Sequence, residues 1–314
     1  MAKFLVTGGA GFIGSNIVEY LVKKNNDVIV IDNLVTGKLN NLDGLMDKID
    51  FYEQSILDIN CLKKCMKNVD YVLHHAAIPS VTKSVNDPIL THNVNINGTL
   101  NVLVAARDAN VKRVVFASSS SVYGDQKEIN KNERMVLKPL SPYATQKATC
   151  EFYCKNFYEL YGLKTVCLRY FNVFGPKQDP SSDYAAVIPS FISKMLTRKC
   201  PIIYGDGLQT RDFTYIDNII QANILACESE KSAGETFNIA HGNSINLRDL
   251  ILEINQLLGS DIRPEFTNPK KGDVKYSCAD ISKAKRLLNY DPKVYFVLGL
   301  EKTVDWYKTQ SKSV

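Results

Sequence analysis

Three features of the sequence predict a doubly wound, parallel α/β fold. Short β-branched runs alternate with helical patterns over the first 170 residues, a glycine-rich turn follows directly on the first run, and an acidic residue closes the second. The first run, 4–7, leads through Gly8, Gly11 and Gly14 into a helical pattern over 12–24. Further strands are expected at 28–31, 50–52, 71–74, 114–117 and 165–169, with helical patterns at 59–67, 88–110 and 142–161. Strand, helix, strand in repetition makes a Rossmann-like sheet, so residues 1–170 are read as a dinucleotide-binding unit. Beyond Asn172 the pattern is less regular, with Gly175-Pro176, Asp179-Pro180, Gly205-Asp206-Gly207 and Asn268-Pro269 among short helices. Residues 171–314 are read as a smaller lobe that folds over the carboxyl edge of the sheet and returns some segments to the first unit.

Composition excludes several classes. The 314 residues are 45% apolar and 23% charged, an ordinary globular balance. The net charge of +5 is dispersed, and Lys23-Lys24, Lys63-Lys64 and Lys270-Lys271 are too short for a nucleic-acid track. No run approaches the ~20 apolar residues of a membrane span. Met1-Ala2-Lys3 leads straight into a strand, so a cytoplasmic protein is expected. Eight cysteines contain no CxxC pair, and Cys61/Cys65 and Cys150/Cys154 have the spacing of one helical face. They are read as reduced packing thiols, with neither metal nor disulfide expected.

The glycines at the strand-to-helix turn follow GxxGxxG spacing. Gly8 and Gly11 would admit a pyrophosphate at the helix amino end, and Gly14 would let helix pack on strand. Asp32, at the end of the second strand, is placed for ribose hydroxyls, which favours NAD over its phosphorylated form. Asp58, after the third strand, is placed to meet adenine.

Ser118-Ser119-Ser120-Ser121-Val122-Tyr123-Gly124 closes the fifth strand, and Tyr143 and Lys147 form a YxxxK pair on one helical face. A tyrosine serving as base near neutrality needs its pKa lowered by roughly three units, about 4 kcal/mol. Lys147 and a cationic nicotinamide are expected to supply it, with Ser119 hydrogen-bonding the reacting oxygen.

The pieces TGGAGFIG, IDNL, HHAAIPSV, ASSSSVYG, SPYATQK, RYFNVFGP, TRDFTYIDN and KKGDV stand in the order found in extended short-chain dehydrogenases/reductases, and the resemblance spans essentially the whole chain. It implies an NAD-dependent epimerase/dehydratase of the kind that acts on UDP-sugars, with NAD tightly held and regenerated in each cycle. Carried over residue by residue, it implies cofactor contacts at Gly8, Gly11, Phe12, Ile13, Gly14, Asp32, Asn33, Thr36, Gly37, Asp58, Ile59, Ala76, Ala77, Asn95, Tyr143, Lys147 and Tyr170. It implies substrate contacts at Ser80, Lys83, Ser119, Ser120, Asn172, Ala186, Val187, Tyr204, Arg211, Lys270, Asp273 and Ser277, and catalysis by Tyr143, Lys147 and Ser119.

Dehydratases resembling this chain carry acidic residues where Ser120 and Ser121 stand, so the resemblance favours a 4-epimerase. The segment from Arg169 to Pro189 is similar to the branch acting on UDP-N-acetylhexosamines. Ser277 matches a gatekeeper position that is bulky in enzymes restricted to non-acetylated hexoses, and a serine leaves room for an acetamide. Two departures bear on the sugar: Lys270 replaces an arginine usual in relatives, and Pro79 replaces a glycine beside Ser80. A UDP-glucuronate 4-epimerase, a UDP-glucose-only 4-epimerase and a non-catalytic NAD-binding protein stay open as alternatives. Family analogy implies a homodimer through helices around 93–110 and 142–161.

Overall fold

The computed structural model describes residues 1–180, 186–269 and 275–311. The chain begins β1 (Lys3–Thr7), α1 (Phe12–Lys23), β2 (Asp27–Asp32), β3 (Asp50–Glu53), α2 (Ile59–Cys65), β4 (Tyr71–His74), α3 (Val81–Asn86), α4 (Pro88–His92) and α5 (Gly98–Asp108). It continues through β5 (Arg113–Ser119), β6 (Asn130–Lys131), α6 (Pro142–Tyr161), β7 (Thr165–Tyr170), β8 (Val173–Phe174), α7 (Val187–Leu196), β9 (Ile202–Tyr204), β10 (Thr210–Arg211) and β11 (Thr214–Tyr215). The last part comprises α8 (Ile216–Glu228), β12 (Thr236–Ile239), β13 (Ile245–Asn246), α9 (Leu247–Leu258), β14 (Glu265–Thr267), β15 (Cys278–Ala279), α10 (Ser282–Leu288) and α11 (Phe296–Ser311).

Seven strands form one parallel sheet in the order β12-β7-β5-β4-β1-β2-β3. Its strands are apolar on both sides because both faces are covered. Phe4, Val6, Val28, Val30, Val115 and Ala117 enter one core, and the alternate residues Leu5, Ile29, Ile31, Val114 and Phe116 enter the other. The period of two thus divides each strand between two helical layers.

The helix expected over 88–110 is broken. A π turn, Asn93–Asn97, separates α4 from α5. Within it Asn95 accepts from the Ile78 N–H at 2.8 Å and donates to Gln146 Oε1 at 2.8 Å, so the widened turn carries a buried polar link between the segment after β4 and α6. The strand β12, which the sequence pattern did not announce, pairs with β7 and brings residues beyond 230 back to the main sheet. Among the described residues no helix is long and apolar enough to cross a membrane.

Candidate active site

β1 lies between β2 and β4, so the connections leave it in opposite directions and a crevice opens at its carboxyl end. A cleft of about 2150 Å³ runs there from Asp32 and Gly37, past the glycine turn, to Ser119, Tyr143 and Lys147, and on to Asn172, Arg211 and Ser277. Single-ligand pockets commonly hold ~300–1,000 Å³, so this cleft has room for two ligands.

The turn is pressed between main-chain segments. Gly8 has φ +70°, and a Cβ on it would lie 2.6 Å from the Ala76 nitrogen; one on Gly14 would lie 2.2 Å from the Gly8 oxygen. No side chain caps α1, whose N-cap is Gly11, so its first-turn N–H groups are directed at the turn, as an anion there requires. Asp32 is 7% exposed; its carboxylate accepts from the Ala10 N–H at 2.9 Å and the Leu34 N–H at 2.8 Å, and burial pushes its pKa up. The uncapped helix and fixed carboxylate fit a dinucleotide with unphosphorylated ribose.

Phe12, Ile13, Asn33, Thr36, Ala76, Ala77 and Tyr170 also line the cleft, whereas Asp58, Ile59 and Asn95 do not. Asp58 Oδ1 caps α2, accepting from the Asn60 and Cys61 N–H groups at 3.0 Å each. The cleft wall at this end is formed by Gln54, Ser55, Ile56 and Leu57, directly before Asp58 in the chain.

β5 delivers Ser119 to the cleft and α6 delivers Tyr143 and Lys147, one turn apart on one face. Ser119 stands beside the Tyr143 phenol and favours its charged form. Its Oγ accepts from the Ser121 N–H at 3.2 Å and the Ser121 hydroxyl at 2.9 Å. With both lone pairs engaged, the proton of Ser119 is left for the phenol. Lys147 Nζ donates to the Ala117 carbonyl at 2.7 Å and stands 5.9 Å from the centroid of the Tyr143 ring.

Burial pushes the phenol up to about 12 against the opposing pull of Ser119, and pushes Lys147 down to about 8. The expected lowering joins Lys147 with a cationic nicotinamide; among the chain's own groups, burial outweighs the pull of Ser119. Desolvation disfavours the charged form of both groups, and the ammonium is engaged with a carbonyl instead.

Beneath this pair, Glu151 accepts from Arg169 Nε at 2.9 Å and Nη2 at 2.7 Å, and from the Ser118 hydroxyl at 2.5 Å. Arg169 Nη1 donates to the Tyr123 hydroxyl at 2.8 Å, which donates to Asn238 Oδ1 at 2.6 Å. The network ties the ends of β5, β7 and β12 to α6. Its one local signal in the sequence is Glu151, an acid one turn beyond Lys147 on the same helical face.

At the far end, Ser80 caps α3 by accepting from the Lys83 N–H at 3.1 Å, and both residues line the cleft. Asn172 donates to the Asp212 carbonyl at 3.3 Å, and Arg211 Nη1 to the Thr210 carbonyl at 2.9 Å. Ser120 and Ala186 are on the wall; Val187, which begins α7, and Tyr204, on β9, are not. Lys270 and Asp273 lie outside the described residues. The cleft also takes in Trp306, Tyr307 and Gln310 of α11, which no motif marked. His75 is a further unmarked lining residue: its Nε2 meets the Tyr170 hydroxyl at 3.1 Å, and burial lowers it to about 4, so it is neutral.

The sequence pattern of the NAD dependent epimerase/dehydratase family matches residues 4–240. The chain belongs to this family. Three solved structures show the same fold over nearly its whole length. A UDP-N-acetylglucosamine 4-epimerase from Methanobrevibacter ruminantium M1, in complex with UDP-N-acetylmuramic acid, is 43% identical, covers 98% of this chain and 99% of that one, and has a TM-score of 0.95. A UDP-glucose 4-epimerase from Thermotoga maritima, with UDP-glucose, is 38% identical with coverages of 98% and 99% and a TM-score of 0.94. A UDP-glucuronic acid 4-epimerase from Bacillus cereus, in complex with UDP-glucuronic acid and NAD, is 35% identical with the same coverages and a TM-score of 0.91. NAD is the cofactor of the family to which the glycine turn and Asp32 belong.

Proposed function

We propose that this nucleotide-sugar 4-epimerase interconverts UDP-N-acetylglucosamine and UDP-N-acetylgalactosamine. The observation that carries the choice of sugar is the small side chain of Ser277 on the cleft wall that also includes Arg211, where a bulky residue would take the space of an acetamide. The 43% identical relative, which is a UDP-N-acetylglucosamine 4-epimerase, supports the same choice.

The glycine turn and the amino end of α1 would hold the NAD pyrophosphate, Asp32 its adenosine ribose, and Lys147 and Tyr170 its nicotinamide end. When bound, NAD supplies a reversible hydride acceptor for carbon 4 of the sugar and a positive charge beside the phenol. Tyr143 takes the proton of the 4-hydroxyl and returns it to the oxygen once the keto sugar has turned over. Ser119 would turn its one proton from the phenol to that oxygen and steady it in both halves of the cycle. Lys147, anchored by the Ala117 carbonyl, keeps two N–H donors for the nicotinamide ribose. Asn172 and Arg211 anchor the diphosphate, so binding energy is gathered far from the reacting carbon while the hexose is free to rotate. Uncharged Ser120 and Ser121 provide no acid or base at neighbouring carbons, which supports epimerisation over elimination.

Residues 1–170 serve NAD and residues 171–314 mainly the UDP-sugar in this reading. A homodimer through α5 and α6 is part of it, supported by the exposed Phe152, Leu160 and Tyr161 on α6. Replacing Ser277→Tyr tests the sugar assignment: conversion of UDP-N-acetylglucosamine should be lost while conversion of UDP-glucose is kept. An unchanged ratio between the two sugars would remove Ser277 from the choice.

A further inference from the structure

The geometry points to Asp212 as a positioning residue that holds the Ser277 strand in register against Arg211 and thereby sets the width of the sugar end of the cleft. The inference rests on the reading of Arg211 and Ser277 as walls around the UDP-sugar.

Asp212 is fully buried; burial pushes its pKa up to about 7, and the main-chain N–H groups that donate to it pull the other way, toward the carboxylate. Its Oδ1 accepts from the His241 N–H at 3.0 Å, and its Oδ2 from the Gly242 and Ala279 N–H groups at 3.1 Å each. One carboxylate therefore joins the link from β10 to β11, the segment after β12, and β15.

The main chain of Thr210 supplies the other fixed point. Its N–H donates to the Lys275 carbonyl at 3.0 Å, and its carbonyl accepts from the Ser277 N–H at 3.2 Å. Ser277 is thus fixed on one side by the backbone of Thr210 and, two residues later, by the carboxylate of Asp212, with Arg211 between the two anchors. On its other edge β15 pairs with β6, Cys278 with Asn130 and Ala279 with Lys131, so the strand has no freedom to shift unless these contacts break.

A buried ion is poor value as a source of stability, because its desolvation offsets most of what its hydrogen bonds contribute. What the carboxylate offers that a neutral isostere cannot is acceptors in three directions. An asparagine has one acceptor oxygen, and in either orientation its amide would turn an N–H toward at least one main-chain N–H. Relief of that conflict moves 241–242 or 278–279, and with the latter Ser277.

The test is Asp212→Asn, assayed for kcat and KM with UDP-N-acetylglucosamine and UDP-glucose, for affinity toward UDP alone by calorimetry, and for NAD content after denaturation. We expect KM for both sugars and the dissociation constant for UDP to rise about ten-fold, kcat to change less than about three-fold, and NAD content to match the wild type. A loss of melting temperature with UDP affinity and KM unchanged would show a merely structural carboxylate and overturn the inference. UDP affinity does not depend on which hexose is turned over, so an error in the sugar assignment would appear separately, in the wild-type substrate pattern. If Asp212→Asn does not fold, hydrogen exchange on the wild type decides. The amides of Gly242 and Ala279 should open at one common rate and be slowed together by UDP, and unrelated rates would overturn the inference.

Discussion

Gly14→Ala tests the cofactor turn at its tightest point. The added Cβ would stand 2.2 Å from the Gly8 oxygen and 2.8 Å from the Gly9 Cα, where ordinary contact begins at 3.4 Å. Both neighbours are main chain, so no flexible side chain can yield, and α1 must part from the turn by about an ångström. Overpacking of this kind costs about 1–3 kcal/mol. The same displacement draws the first-turn N–H groups away from the pyrophosphate, and a loss of ~1.4 kcal/mol there weakens NAD binding ten-fold. The assay is NAD released per mole of denatured protein, together with melting temperature with and without added NAD. Gly44→Ala is the control: its Cβ meets nothing within 4 Å, and only its positive φ carries a cost, about 1–2 kcal/mol. Full NAD content in Gly14→Ala, or equal loss in Gly44→Ala, would refute the role given to the turn.

Tyr143→Phe should lower kcat by about 10²–10⁴ while NAD stays bound, and an active variant would remove the phenol from the mechanism. Glu151→Gln leaves the Arg169 guanidinium buried without its counter-charge and should cost about 3–5 kcal/mol; an unaltered melting temperature would contradict the network. Burial lowers Lys147 to about 8, so its ammonium is lost as pH rises through that value and kcat should fall on an alkaline limb centred there. For stability the sign is the reverse of a paired lysine: the fold disfavours the ammonium, so stability is lower below about pH 8 and recovers as pH rises toward the unfolded value. A melting-temperature difference between wild type and Lys147→Met that stays constant from pH 7 to 10 would count against this.

Much of the nucleotide-binding half was legible because its signals are local. Most of the six early strands centre on a short apolar, β-branched run, and the turn at Gly8–Gly14 is dictated by close approach of main chain that only glycine permits. Three things were illegible. β12, the four residues Thr236–Ile239, carries no periodicity long enough to read, and only pairing with β7 makes it a strand. The break at Asn93–Asn97 depends on partners, Ile78 and Gln146, that lie far away in sequence. Trp306, Tyr307 and Gln310 reach the cleft because α11 packs back across the molecule, which no pattern within the helix reveals. At the site itself, spacing is enough to bring Ser119, Tyr143 and Lys147 to one cleft, whereas the burial that pushes the phenol up has no signature in the motif. A motif names the neighbours of a group without reporting how far burial has removed it from water.

The decisive measurement is to offer UDP-N-acetylglucosamine, UDP-glucose and UDP-glucuronate separately to the purified protein without added NAD and to separate the products by chromatography. Formation of UDP-N-acetylgalactosamine is the predicted result, since it requires a resident cofactor, a working Tyr143 and space for the acetamide together. Conversion of UDP-glucose or UDP-glucuronate alone would contradict the sugar assignment, and turnover of none of the three would contradict the function.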